Sequence, residues 1–140
     1  MDITLDQANT IIALALKRSA EAGYKPMAVV VLDAAGHTRS AQRQDGASMF
    51  RIDIATGKAW ASIAMGAASR VLTQRARDLP AFFGALATTG NGKFIPQTGA
   101  VLVKDAEGRI VGAAGASGGS GDEDEAICIA GIQAAGLQAG

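Results

Sequence analysis

The stretch from Ala100 to Ile132, AVLVKDAEGRIVGAAGASGGSGDEDEAICIAGI, decides the fold. Ala100 to Val103 and Arg109 to Ala116 flank a polar turn, KDAEG, which is the pattern of a β-hairpin. Gly118 and Gly119 can then turn the chain sharply, because glycine enters backbone regions closed to other residues. Ser120, with Glu123 three residues on, reads as a capping box in which each side chain satisfies the other's free amide. The spacing therefore predicts a strand delivered tightly into a helix running from Ser120 to about Gln138.

Upstream, Thr4 can cap a helix whose apolar positions Ala8, Ile11, Ile12, Ala15 and Leu16 recur at helical spacing, with Gly23 near its end. MAVVVLD, a turn in AAGH and the alternating TRSAQR read as a second hairpin. From about Ala47 to Arg70 the period is helical again, and small residues on two faces predict close packing on both sides. The segment LTQRARDLPAFFGALATTGNGK is read as a basic helical tail ending at Pro80, one short helix in AFFGAL and loop chemistry in TTGNGK. A small strand is expected ahead of the Ala100 hairpin. The order α-β-β-α-β-β-β-α predicts a single α+β domain over residues 1–140, with a mainly antiparallel five-stranded sheet flanked by helices.

Thirteen Lys and Arg balance thirteen Asp and Glu, so no sequence-wide field recruits nucleic acid or an anionic membrane surface. The lone cysteine, Cys128, cannot form an internal disulfide or a Cys-type metal cluster. Asp2 and Asp6 stand where a secretory signal carries basic residues, and no apolar run reaches the ~18 residues of a membrane span. A cytoplasmic protein is expected. Eighteen glycines and 4% aromatic residues imply a thin core of small side chains, hence a homo-oligomer.

A phosphate cradle at the final helix is disfavoured. Neither a Walker pattern nor GxGxxG is present, and Asp122, Glu123, Asp124 and Glu125 would repel an anion. A cap needs one or two acids, so the remainder could face a cleft or simply favour the helix dipole. His37 offers the sole imidazole for base work or iron ligation, although its place after the turn glycine of DAAGH also fits an exposed hairpin residue. No Ser/His/Asp set or HxxxH pair can be built. Arg43 and Asp45 lie at the exit of the second strand. Lys58 is a lone cation on a small, apolar helical stretch, either solvated or shielded as an anion grip. These residues define a candidate ligand pocket of Arg43, Asp45, Lys58, Gly118, Gly119, Glu123 and Asp124, with His37 in reserve as a metal ligand. Two function classes remain open: a small-ligand binding protein, and a cofactor-free enzyme acting on a small oxygenated carboxylate.

VVVLDAAGH, RQDGAS, IDIATGKAWAS and above all the Ala100–Ile132 stretch occur in the order of the haem-binding HbpS/GlcG family, also found as the C-terminal domain of PduO-type proteins. The chain resembles that family over nearly its whole length, and Asp33, His37, Arg43, Asp45, Gly46, Lys58, Gly118, Gly119 and Asp124 fall on its motif positions. The resemblance implies a five-stranded, largely antiparallel sheet between helices, assembly into dimers or larger oligomers, and haem as the cofactor of some members. Residues 72–96, which commonly shape the pocket mouth, depart from the family pattern.

Overall fold

The computed structural model describes residues 2–140. Helix α1, Leu5–Ala22, starts on a capping box in which the Thr4 hydroxyl accepts from the Gln7 amide and the Gln7 side chain accepts from Thr4. It stops at Gly23, whose φ of 72° is left-handed. Strands β1, Ala28–Asp33, and β2, Thr38–Arg43, form the first hairpin. Helices α2, Phe50–Met65, α3, Ser69–Asp78, and α4, Pro80–Thr89, follow. The second hairpin is β3, Ala100–Lys104, with β4, Ile110–Ser117, and the chain closes with α5, Gly121–Ala134, and β5, Gln138–Ala139.

The sheet order is β2-β1-β4-β3-β5, antiparallel throughout. Alternation along each central strand divides its side chains between two helical layers. Val29, Val31, Val101, Val103, Ala114 and Ala116 pack with α1 and α5 through Ile11, Ile12, Ile127 and Ile132. Val30, Leu32, Ala100, Leu102 and Ala113 meet Ala55 and Ala59 of α2 on the other face. A sheet covered on both sides explains why β1 reads as an unbroken apolar run.

Small residues set the spacing between layers. A Cβ on Gly115 of β4 would lie 2.4 Å from the Ala55 carbonyl oxygen, and one on Gly131 of α5 would lie 2.4 Å from that of Ile11. Both are backbone contacts, which leave no flexible side chain to move aside.

Three features differ from the sequence expectation. The helical stretch read from Ala47 to Arg70 is split, because Gly66 at φ 65° terminates α2 before α3 begins. Residues 72–96 carry most of α3 and all of α4, which starts at Pro80, where a missing amide costs no helical hydrogen bond. The fifth strand does not precede β3 but follows α5. Gly136, at φ 81°, turns the chain so that Gly140 exchanges both backbone hydrogen bonds with Leu102 at 2.7 and 3.0 Å, and α5 ends at Ala134 rather than near Gln138. No helix among the described residues is long and apolar enough to cross a membrane.

The contact at Gly131 predicts a reversal of helix propensity. Gly→Ala in a helix interior ordinarily stabilises by about 1 kcal/mol, and Gly84→Ala in α4, where an added Cβ meets nothing within 4 Å, should do so. Gly131→Ala should instead destabilise by about 1–3 kcal/mol through overpacking. Urea denaturation of the two variants beside the parent checks the opposite signs.

Candidate functional site

The junction of β4 and α5 is built as the capping-box reading requires. Gly118, φ 145°, lies where a Cβ would come within 2.3 Å of the Pro26 carbonyl oxygen, so only glycine fits. The Ser120 hydroxyl accepts from the Glu123 amide at 3.2 Å, and the Glu123 carboxylate accepts from the Ser120 amide at 2.9 Å. Glu123 is therefore engaged in the cap.

Asp124, one position on, points inward and is buried together with Lys58 of α2. Its Oδ2 accepts from Lys58 Nζ at 2.9 Å and its Oδ1 from the Gly119 amide at 3.0 Å, while Lys58 Nζ also donates to the Ala116 carbonyl oxygen at 3.1 Å. Gly99, φ 138°, closes over the pair, since a Cβ there would stand 2.7 Å from Lys58 Nζ. Burial pushes the Asp124 carboxyl above the usual carboxylate range, and the Lys58 charge with its hydrogen bond pulls it back. One turn further along α5, burial raises the Cys128 thiol, aided by the charge of Asp124, so it stays protonated.

The other two acids face outward. Asp122 and Glu125 both bind the Arg70 guanidinium, Glu125 at 3.1 Å. The run of four acids thus has three separate duties: a cap, a buried ion pair and a surface ion pair.

Lys58, Asp124 and Gly119 line a cleft of about 410 Å³ that also takes in Arg51, Gln97, Thr98, Ser117 and Ser120. Arg51, seven residues before Lys58 on the same helix face, donates to the Ser117 hydroxyl at 3.2 Å. Sequence reasoning missed Arg51 and Ser117. The i, i+7 spacing to Lys58 was an available signal, but the facing of Ser117 follows only from the strand register.

Arg43 and Asp45 do not join this cleft. They line a separate groove of about 550 Å³ with Tyr24, Pro26 and Gln42, and the Arg43 guanidinium donates to the Ala47 carbonyl oxygen. A single pocket holding Arg43 and Lys58 together is not formed within one chain, because the Arg43 groove lies against Leu16 and Ala20 of α1 on one side of the sheet, whereas Lys58 belongs to α2 on the other.

His37 occupies a third place, an exposed turn beside a groove of about 470 Å³ lined also by Gly36, Thr38, Asp53, Trp60 and Lys93. Its Nδ1 stands 4.0 Å from Asp33 Oδ1. That oxygen accepts the His37 and Ala35 amides, each at 3.0 Å, and the His37 amide bond leads in holding the Asp33 carboxyl below its usual range. Among the described residues no group of three or more His, Cys, Asp or Glu side chains could hold a metal ion by itself.

The buried pair should show strong coupling. Lys58→Met leaves Asp124 without its counter-charge and should cost about 3–5 kcal/mol. Lys58→Met with Asp124→Leu removes both charges and should recover most of that loss. Chemical denaturation of the single and double variants measures the difference.

Several solved structures share this architecture. PduOC in its haem complex is 26% identical, with a TM-score of 0.86 and coverage of 100% of this chain and 98% of that one. Klebsiella pneumoniae protein ORFY is also 26% identical, with a TM-score of 0.86 over 96% of this chain and 90% of that one. A Streptomyces reticuli HbpS double mutant is 27% identical, with a TM-score of 0.82 over 96% and 87%. No curated protein matches the chain. The family model described as haem degrading protein HbpS-like matches residues 3–133, nearly the whole of the fold just described, and the chain belongs to that family.

Proposed function

We propose that the protein binds a small ligand, and that the ligand is haem, held in the groove beside His37. The observation that carries this reading is the constellation at that groove: the sequence's one imidazole, an indole and a lysine around about 470 Å³. The haem complex of PduOC, similar over the full chain, supports it.

The donors suit the group. An imidazole is a strong iron ligand, and a carboxylate near its second nitrogen favours the tautomer that leaves the first nitrogen open to iron. Asp33 stands on that side of His37, and its two backbone hydrogen bonds keep it charged and fixed. Trp60 offers a flat apolar wall, and Lys93 a cation for a propionate. Bound haem would supply iron-centred redox chemistry; this chain's residues would orient the ligand and hold its charge.

A homo-oligomer in a reducing compartment belongs to the same proposal. Leu79 and Phe82 are more than half exposed at the junction of α3 and α4, and Met49 and Phe50 before and at the start of α2. Such apolar surface supports self-association. Sedimentation velocity at micromolar concentration should find a species larger than the 14.1 kDa chain, and a stable 14.1 kDa monomer would refute the assembly.

Titration with haemin followed in the Soret region tests the ligand. The parent should give a saturable spectral change. His37→Ala should alter the band and weaken binding by about tenfold or more, roughly 1.4 kcal/mol or above. Lys93→Ala should weaken binding without changing the band. An identical spectrum and affinity in His37→Ala would exclude this imidazole as the iron ligand.

A further inference from the structure

The cleft beside α5 has donors that the fold itself does not use. Lys58 is only 6% exposed, and two of its three N–H groups are taken, by Ala116 and Asp124. Ser117 is 1% exposed, and its hydroxyl receives the Arg51 bond while no acceptor among the described residues takes its own O–H. Burying an unspent donor is costly unless something outside the chain completes it.

The cations of the cleft are not equally paired. Lys58 is matched by Asp124, and Arg70 by both Asp122 and Glu125. No carboxylate among the described residues lies within ion-pair distance of Arg51, which lines the same cleft. Arg51 is thus the cation of the cleft with no carboxylate in direct contact, and its planar fork matches a carboxylate. Ser117 links the groups: it touches Arg51 directly, and its neighbour Ala116 supplies the carbonyl that holds Lys58.

From these groups we infer that the cleft is a binding site for a small monocarboxylate bearing a further oxygen beside the carboxylate, as 2-hydroxy and 2-oxo acids do. Arg51 takes the carboxylate, and the deeper donors of Lys58 and Ser117 take the third oxygen. Asp124 is a positioning residue, aiming Lys58 through its carboxylate while Gly119 holds the other oxygen. The volume of about 410 Å³ accepts a molecule of this size together with water. The site is separate from the groove at His37 and does not depend on the haem proposal.

The test is isothermal titration of the purified full chain with sodium lactate, sodium pyruvate and sodium acetate at constant ionic strength. Lactate or pyruvate should bind saturably, and acetate, lacking the third oxygen, about tenfold or more weaker. Arg51→Gln should reduce lactate or pyruvate affinity by about tenfold or more, Arg51→Lys by less, and Ser117→Ala by several fold. All three variants should keep the parent's circular dichroism spectrum and haemin titration, which separates this site from the other. Absence of saturable binding by both oxygenated acids, equal affinity for acetate, or unchanged affinity in folded Arg51→Gln would each overturn the assignment.

Discussion

One buried ion pair joins the two helical layers. Lys58 belongs to α2, which covers one face of the sheet, and Asp124 to α5, which covers the other. The two side chains meet at 2.9 Å around the end of β4, where the Ala116 carbonyl takes a second hydrogen of the ammonium. A charge pair withdrawn from water contributes little net stability, but removing one partner leaves a strongly disfavoured isolated charge. The pair thus ties α2, β4 and α5 together at one point. Gly99 and Gly119 are consequences of it: the first leaves room over Lys58, and the second lends its amide to Asp124.

The same economy of volume governs the core. Alanine and glycine bury little area each, so cohesion depends on close approach of backbones rather than on large side chains. Gly115 lets α2 settle on β4 and Gly131 lets α5 settle on α1. Large apolar residues left outside, including Phe50 and Phe82, are the counterpart of a core with little space for them.

Charge is distributed locally although it cancels overall. The four acids at the start of α5 go to a cap, a buried lysine and a surface arginine, and so do not form one negative patch. Arg43 hydrogen-bonds its own loop, whereas Arg51 faces a cleft with no acid within ion-pair distance among the described residues. Similar residue types thus acquire different chemistry from the elements that carry them.

By itself the sequence determined much of the local structure: the cap at Thr4, the capping box at Ser120, the two hairpins, the stop at Gly23 and the apolar run of β1. Each depends on residues close together in the chain, where periodicity and turn chemistry act directly. Its long motifs also carried the family. Tertiary structure alone decided that Gln138–Ala139 would pair with β3, because a two-residue strand has no periodicity to read and is held by partners distant in the chain, Lys104 and Val103. It also decided that Lys58 meets Asp124, that Arg51 rather than Arg43 shares their cleft, and that His37 lies beside Trp60. Those neighbours are set by strand order and by which helix covers which face, and a linear spacing holds no record of either.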